Sequence, residues 1–296
     1  MTSMPALELR DEALACVPGW EPGAKTLEIA PLAGGTANCA YRVRTRLGEF
    51  VLRLHEPQST LLGVNRTSEL ALHAAAARAG IAPPLVGVDP AGRFLITEYS
   101  HGSPWRADDM ADATHLQRLA GRLQQLHTLP APSVASYEPA RLLRAHAERV
   151  SQADPTAASL LMPWVHRAEG ILEDCALAGR RPSIIHNDLH HSNILQAGSQ
   201  IYLIDWEYAA VADPLFDLAC LLAYYPAAAP HAQLLLDEIG LPGTALTPLY
   251  EVAWLYMLLS YLWYRVLALQ AAPSAAAQAQ ERELLRHLTE GQVRRR

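Results

Sequence analysis

One short segment of the sequence holds an unusual number of side chains that can donate, accept or coordinate. The segment "HNDLHHSN" contains three histidines, His186, His190 and His191, together with Asp188 and Asn193. A loop that only connects two elements does not need these side chains. They can support a metal site, a proton-transfer site or a phosphate site.

A second acid follows the segment and completes a set of groups that phosphoryl transfer requires. The short apolar run "IYLI" ends directly before Asp205. The carboxylate of Asp188 can accept a proton from a hydroxyl group. The amide of Asn193 and the carboxylate of Asp205 are hard oxygen ligands of the kind that suit Mg²⁺, which also binds phosphate oxygens.

Two other interpretations of the same segment stay open. His186, His190 and His191 are candidate zinc ligands, although the H-E-x-x-H pattern and a nearby cysteine are both lacking. Adjacent His190 and His191 also point poorly at one ion if the loop is extended. Alternatively, the polar side chains satisfy one another in a buried turn, and for His190 and His191 alone this structural role is the better interpretation.

Composition limits the class of protein that can position these groups. The chain has 296 residues, half of them hydrophobic, which suits one large domain or two lobes. The net charge of −6, with basic residues clustered only at residues 294–296, argues against nucleic-acid binding. Four separated cysteines indicate reduced thiols, and the acidic N-terminal segment is unlike a signal peptide. We therefore expect a cytoplasmic protein.

The most apolar stretch of the chain is expected to form a core helix. It spans residues 252–264, which is 13 residues and shorter than the roughly 20 that cross a membrane. We expect no membrane interaction.

The order of sequence patterns predicts a small sheet-rich lobe followed by a larger helical lobe. Alternating apolar residues and one alanine-rich helix give the order β-β-β-α-β-β up to about Tyr99. After "GSPW" the pattern is helical, apart from the segment "HNDLHHSN" and the strand "IYLI". The predicted fold class is α+β, with a small lobe at residues 1–99 and a larger helical lobe at residues 100–296.

These motifs resemble the aminoglycoside phosphotransferase and choline/thiamine kinase family, which has a protein-kinase-like two-lobed fold. "HNDLHHSN" and "LIDWEYAAVADPLFDLA" carry the resemblance, which by order of motifs covers Leu32 to Leu269. The resemblance implies ATP and Mg²⁺ as cofactors. It assigns nucleotide binding to the lobe at residues 1–99, and catalysis and acceptor binding to the lobe at residues 100–296. It also implies that Asp188 is the catalytic base, that Asn193 and Asp205 are Mg²⁺ ligands, and that His186 and Asp217 brace the catalytic loop. A helix first-turn acid is an equally good interpretation of Asp217.

The resemblance also implies nucleotide-binding positions in the first lobe. Gly34 and Gly35 lie between two strands, where backbone amides can cover phosphates and Asn38 can brace the turn. An ordinary hairpin fits the same two glycines. Adenine would meet backbone groups near Glu98 and Ser100, in the segment that resembles the hinge between lobes.

One further pair in this lobe is expected to contact phosphate. Arg53 stands where the kinase-like family usually has a lysine, and choline-kinase-like members also use arginine there. Its planar guanidinium can bind phosphate through two parallel hydrogen bonds. Glu69, on the following helix, is the expected ion-pair partner, unless the two are unrelated surface charges.

The acceptor is expected to be a small cationic alcohol. Trp206, Glu207 and Tyr208 follow Asp205 directly and are candidate acceptor-binding residues. Aromatic faces and one acid suit a protonated or quaternary amine. "IDWEYA" resembles the choline and thiamine kinase branch more than the aminoglycoside branch.

The long C-terminal helix supplies the other candidate acceptor-binding residues. Trp254 and Tyr261 are seven residues apart and share one helix face, whereas Tyr256 and Trp263 share another. We expect Trp254 and Tyr261 to line the acceptor site, although an aromatic stripe on an apolar helix is more often core.

The expected function is ATP- and Mg²⁺-dependent transfer of a phosphoryl group to a small-molecule hydroxyl, with choline, a related amino alcohol or thiamine as acceptor. A sugar or aminoglycoside kinase, or a catalytically silent nucleotide-binding protein of the same fold, are the alternatives. Protein kinase activity is disfavoured because "IDWEYAAVADPLFDLA" leaves no room for a long activation segment. The oligomeric state and the choice between ATP and GTP do not follow from the sequence.

Overall fold

The computed structural model describes residues 4–23, 28–32, 39–270 and 273–290. Ten strands are present in these residues: β1 (Glu28–Leu32), β2 (Cys39–Thr45), β3 (Gly48–Leu54), β4 (Leu85–Val88), β5 (Phe94–Glu98), β6 (Ser103–Pro104), β7 (Ser183–Ile185), β8 (Ile194–Ala197), β9 (Gln200–Leu203) and β10 (Ala210–Ala212). The α-helices in the same residues are α1 (Met4–Ala15), α2 (Arg66–Arg78), α3 (Ala113–Thr128), α4 (Pro139–Ala153), α5 (Pro155–Leu177), α6 (Leu215–Tyr224), α7 (Ala232–Glu238), α8 (Leu246–Gln270) and α9 (Ala275–Glu290).

The chain divides into two compact units. The first unit contains residues 1–105 and 192–208, and the second contains residues 106–191 and 209–296. The domain division predicted from the sequence, 1–99 and 100–296, remains a prediction. It differs from the observed units mainly in residues 192–208, which the sequence pattern assigned to the helical lobe.

The first unit contains a five-stranded antiparallel sheet in the order β1-β2-β3-β5-β4. This agrees with the predicted β-β-β-α-β-β pattern. Strands β2 and β3 form a hairpin in which Thr45 pairs with Gly48. Gly48 has a φ of +147°, which side-chain-bearing residues rarely adopt, so the glycine permits this tight connection. The start of α2 is capped by the Asn65 side chain, which accepts a hydrogen bond from the Ser68 N–H.

One helix of the first unit was not predicted. Helix α1 buries Ala13 and Leu14 in a core with Phe50, Leu52 and other residues of the sheet. Its sequence is rich in Ala, Leu and Glu, which have high intrinsic helix propensity.

A second, smaller sheet of the first unit positions residues near Asp205. Its order is β6-β8-β9, with Ile194 opposite Leu203 in the antiparallel β8–β9 hairpin. The Leu203 N–H donates to the Ile81 carbonyl at 2.8 Å, which fixes the hairpin to the chain segment after α2. The hairpin therefore has a defined position within the first unit.

The second unit is helical, with α8 at its centre. Helix α8 packs against α4, α5, α6, α7 and α9. Strands β7 and β10 pair antiparallel, and Ile185 lies opposite Ala210. Helix α5 runs from residue 155 to 177 with Pro163 inside it.

The expectation of a buried core helix at residues 252–264 is confirmed. Most of this stretch of α8 is buried. Within the described residues, one segment, Gly243–Gln270, is long and apolar enough to cross a membrane by length and composition. In its most apolar window 61% of residues are buried in the fold. This is the pattern of a helix surrounded by protein.

Candidate active site

The loop that carries Asp188 is held by a fully buried carboxylate. Asp217, in the first turn of α6, accepts hydrogen bonds from the backbone N–H groups of His186, at 3.2 Å, and Asn187, at 2.7 Å. The Nε2 atom of His127 lies 2.9 Å from the Asp217 carboxylate. A carboxylate without solvent needs several such partners. The predicted bracing of the loop by Asp217 is thus present in the structure.

The residue before Asp188 is held in an uncommon backbone conformation. Asn187 has a φ of 60°, in the left-handed region that asparagine tolerates better than most residues. The Tyr256 hydroxyl donates to the Asn187 carbonyl at 2.5 Å, and the Asn187 amide donates to the Tyr137 hydroxyl at 3.4 Å. Backbone and side chain of Asn187 are therefore fixed from several directions, and this orients the next residue, Asp188.

Tyrosines surround the Asp188 carboxylate. The Tyr224 hydroxyl donates to Asp188 Oδ1 at 3.5 Å, and the Tyr224 ring packs edge-on against Tyr256 at 5.8 Å between centroids. Burial, reinforced by the negative charge of Asp188, raises the pKa of Tyr224 well above its usual value. The same two causes raise the pKa of Tyr264 to about 12. At neutral pH these phenols are therefore uncharged.

The contacts and burial of His190 and His191, in the same loop, suit a structural role. The N–H of His191 donates to the Tyr225 hydroxyl at 2.8 Å, and His191 Nδ1 lies 2.7 Å from the same oxygen. Burial and the adjacent His191 lower the pKa of His190 to about 4, so its ring is neutral. Across the described part of the chain, no three His, Cys, Asp or Glu side chains are grouped to hold a metal ion. The zinc interpretation therefore has no support among these residues.

Asn193 and Asp205 lie at the same end of the β8–β9 hairpin. The Ile204 N–H donates to the Asn193 carbonyl at 3.0 Å, directly beyond the Ile194–Leu203 pair. Asp205 follows with a φ of 65°, again in the left-handed region. One amide oxygen and one carboxylate from adjacent backbone positions suit Mg²⁺, which keeps water and phosphate oxygens in its other positions. The donor set fits the ion, and the metal-binding role stays a prediction.

Five charged side chains form one group in the first unit, which we call the charged cluster: Arg53, Arg66, Glu69, Asp205 and Glu207. Arg53 Nη2 lies 2.5 Å from Asp205 Oδ1 and 3.2 Å from Glu207 Oε2, and its Nη1 lies 3.5 Å from Glu69 Oε1. Burial alone would lower the pKa of Arg53, but Asp205, Glu207 and Glu69 raise it above its usual value. Arg53 is therefore always charged.

The predicted ion pair between Arg53 and Glu69 is present, but it is not the shortest contact of either residue. Glu69 is fully buried, and its Oε2 atom lies 2.6 Å from Arg66 Nη1. Arg66 was not identified from the sequence. Its position three residues before Glu69, at the start of the same helix, was the available signal.

Four of the predicted acceptor-binding residues are buried, and their binding role stays a prediction. The Trp206 side chain is fully buried, its N–H donates to the Leu203 carbonyl, and it belongs to the core of the first unit. Glu207 is buried and ion-paired with Arg53 and Arg66, so its charge is already balanced. Sequence adjacency to Asp205 had suggested both residues, but the chain turns after Asp205 and directs them into the unit.

The predicted aromatic face of α8 is buried as well. Trp254 and Tyr261 are each 2% exposed and pack against α5. The guanidinium of Arg167 lies 3.9 Å from the Trp254 ring centre, and Trp164 meets Tyr261 edge-on. The other face of the helix carries Tyr256, which contacts Asn187 in the loop that carries Asp188. Helical periodicity grouped these residues correctly but could not tell which group faced the loop.

The remaining predicted positions keep the status of predictions. Gly34, Gly35 and Asn38 lie outside the described residues. Glu98 ends β5 and is exposed, with its N–H donating to the Pro84 carbonyl at 3.0 Å. Ser100 lies shortly after the end of β5, Tyr208 lies shortly before the start of β10, and both residues are half-buried.

An antiparallel five-stranded sheet in one unit, a helical second unit and a loop held by Asp217 define a protein-kinase-like phosphotransferase fold. Residues 28–243 match the family model described as "Phosphotransferase enzyme family". The chain belongs to this family.

Proteins named as choline or ethanolamine kinases are among those to which this chain is similar. "Probable choline kinase 1" of Arabidopsis thaliana is 27% identical over 240 residues, covering 73% of this chain and 66% of the plant protein, just under two thirds of its length. A choline/ethanolamine kinase family protein from Mesorhizobium loti has a TM-score of 0.76 at 21% identity, covering 96% of this chain and 94% of the other. LicA in complex with AMP has a TM-score of 0.74 at 16% identity, covering 97% and 99%. At these identities the structural likeness shows the fold.

Proposed function

We propose that this protein transfers the γ-phosphoryl group of ATP to the hydroxyl group of a small cationic alcohol. The observation that carries the proposal is the environment of Asp188. Its loop is held by buried Asp217, and tyrosines surround its carboxylate. A carboxylate held in this way can accept a proton without reorganising. The name of the plant relative supports a choline-like acceptor.

In the proposed reaction the acceptor oxygen attacks the γ-phosphorus of ATP. A new oxygen–phosphorus bond forms, and the bond from the γ-phosphorus to the oxygen that bridges it to the β-phosphorus breaks. ADP leaves with the electron pair of that bond, and the acceptor proton passes to the Asp188 carboxylate. When bound, Mg²⁺ neutralises charge on the phosphates. Asn193 and Asp205 would hold this ion, and Arg53 would contact a phosphate oxygen.

The acceptor site proposed here is built on different aromatic residues from those expected from the sequence. Tyr224, Tyr256 and Tyr264 take the place of Trp206, Trp254 and Tyr261. The electron-rich faces of phenol rings attract a quaternary or protonated amine, at about 0.5–2 kcal/mol per contact depending on burial. In an amino alcohol such as choline the amine and hydroxyl are only a few bonds apart. An amine against these rings would therefore leave the hydroxyl close to Asp188.

A coupled assay of ADP release tests this proposal. The acceptor panel should contain choline, ethanolamine, thiamine, a neutral hexose, an aminoglycoside and an isosteric neutral analogue of choline. We expect Mg²⁺-dependent turnover with a cationic alcohol and little with the hexose or the neutral analogue. Asp188→Asn is the control for turnover that depends on this site.

The outcomes separate the candidate functions. Turnover of the hexose or the aminoglycoside, without turnover of small cationic alcohols, would replace the acceptor class and keep the kinase assignment. ATP binding without turnover of any acceptor in the panel would favour a silent nucleotide-binding protein.

A further inference from the structure

Arg66 completes a closed ring of ion pairs within the charged cluster. Its Nη1 atom lies 2.6 Å from Glu69 Oε2 and 3.3 Å from Glu207 Oε2. Arg53 contacts the same two acids from the other side, at 3.5 Å and 3.2 Å. The order around the ring is therefore Arg53, Glu69, Arg66, Glu207. Two guanidinium groups and two carboxylates alternate, so the ring carries no net charge.

Asp205 is attached to this ring from outside. Its carboxylate contacts Arg53 at 2.5 Å, and with it the cluster has three carboxylates for two guanidinium groups. Because the ring is balanced without it, Asp205 is the acid that can leave Arg53 at the lowest electrostatic cost. Asp205 is also the least buried of the three acids, with 28% of its side chain exposed against 0% and 7% for Glu69 and Glu207.

The position of Arg66 is itself fixed. Its Nη2 donates to the Ser59 hydroxyl at 2.9 Å, while its Nη1 donates to Glu69 and Glu207. A lysine would supply one charged nitrogen and not a planar fork that reaches in two directions. Arg66 starts α2, the helix that also carries Glu69, so the fork and one of its acids share a rigid element.

We propose that Arg66 is a positioning residue that keeps Arg53 available to a nucleotide phosphate by neutralising Glu69 and Glu207. This inference rests on the proposed function. Without Arg66, both buried acids have Arg53 as their remaining partner in the ring. Removing one member of a buried charge pair leaves an uncompensated charge, which is costly. Glu69 and Glu207 would then compete with phosphate for Arg53, and the affinity for ATP would fall.

Equilibrium binding of ATP in the presence of EDTA tests the proposal separately from catalysis and from the metal. We expect Arg66→Met to raise the Kd for metal-free ATP about tenfold, with kcat at saturating Mg²⁺-ATP changed by less than about threefold. The matched control is Arg78→Met, which removes an exposed positive charge from the last turn of the same helix. A similar loss of affinity in both variants would mean a general effect of net charge and would overturn the proposal.

A double variant distinguishes charge competition from a structural role. The double variant Arg66→Met/Glu207→Gln removes one competing acid together with the arginine that neutralises it. Its Kd for metal-free ATP should therefore lie within about threefold of the Kd of Glu207→Gln alone. Additive losses in the double variant would overturn the proposal. Arg66→Lys should lose less affinity than Arg66→Met, since it keeps the charge.

Two further outcomes keep the test decisive. If Arg66→Met does not fold, Ser59→Ala decides, because it retains all charges and removes only the Nη2 anchor; we expect its Kd to rise about twofold to threefold. An unchanged Kd in Ser59→Ala would then overturn the proposal. If the wild-type protein binds no ATP, the proposed function and this inference both fail. If the wild type and Arg66→Met bind ATP equally well, only this inference fails.

Discussion

The charged cluster of the first unit and the surroundings of Asp188 in the second unit hold their carboxylates in opposite ways. In the charged cluster, guanidinium groups hold acids, and Arg53 contacts three of them. Near Asp188, the Tyr224 hydroxyl donates to its carboxylate, and backbone N–H groups of the same loop donate to Asp217. Ion pairs can be exchanged for a charged ligand, whereas neutral hydrogen bonds persist when the ligand arrives. The first arrangement suits binding of a charged nucleotide, and the second suits a group that must stay in place during reaction.

This comparison has a kinetic consequence. Substitutions at Asp188 and in its supports should act mainly on kcat, and substitutions in the charged cluster should act mainly on nucleotide affinity. Substitutions at the tyrosines should act on the acceptor. The predictions that follow test this separation.

The largest effect is expected at Asp188. Asp188→Asn removes the proton acceptor but keeps the shape, so kcat should fall by about 10²–10⁴-fold. The Kd for ATP, measured by calorimetry, should stay within about twofold of wild type. A folded variant with nearly normal turnover would show that Asp188 is not the base. A large loss of ATP affinity would show that the two regions are not separable.

A smaller effect is expected at Arg53, which belongs to the charged cluster. Arg53→Lys keeps the charge but loses the planar fork, so the KM for ATP should rise by about 10–100-fold with a smaller change in kcat. Arg44→Lys on β2 is the control, since Arg44 is exposed and pairs only with surface acids among its observed salt bridges. If both variants behave like wild type, Arg53 does not contact phosphate.

The two aromatic faces of the helical unit can be distinguished directly. Tyr224→Leu should raise the KM for the cationic acceptor by about 3–30-fold, because a ring face beside Asp188 is lost. Tyr261→Leu should leave that KM unchanged and lower the free energy of unfolding by about 3 kcal/mol, because a core side chain is truncated. Steady-state kinetics and urea unfolding measure the two effects. The reverse pattern would restore the acceptor face that was expected from the sequence.

The smallest effect concerns alkaline stability. The pKa of Tyr264 is raised to about 12 by burial and by Asp188, whereas an unfolded tyrosine ionises near 10. The unfolded state therefore releases this proton first, so stability that is present below about pH 10 is lost between about pH 10 and 12. Urea unfolding at about pH 9 and about pH 11 should show a smaller loss for Tyr264→Phe than for wild type. Equal losses would mean that Tyr264 titrates alike in both states.

Much of the fold followed from sequence pattern. The alternating segments of the first unit became strands, and the apolar run at residues 252–264 became a core helix, since both depend on local periodicity. The sequence pattern does not place residues 192–208 with the first unit, because that grouping depends on long-range contacts.

The candidate site divides in the same way. Asp188, Asn193 and Asp205 are candidates because two neighbouring motifs, "HNDLHHSN" and "LIDWEY", carry them. His127 and Arg66 were missed because their partners are 90 and 141 residues away in sequence, at Asp217 and Glu207. Trp254 and Tyr261 share a face, as helical spacing predicts, but the spacing does not show which part of the protein that face contacts. The identity of a neighbour is a property of the folded chain.

The left-handed backbone at Asn187 and Asp205 has a consequence for protein engineering. Each residue occupies a conformation that costs roughly 1–2 kcal/mol in most side-chain-bearing residues, somewhat less in Asn and Asp. A laboratory selection for heat resistance alone can favour glycine at these two positions, because glycine adopts the left-handed conformation without strain. At Asn187 the gain in stability would be small, because glycine also raises the conformational entropy of the unfolded chain. At Asp205 the substitution would remove the carboxylate. Libraries built to raise the melting temperature should therefore leave both codons fixed.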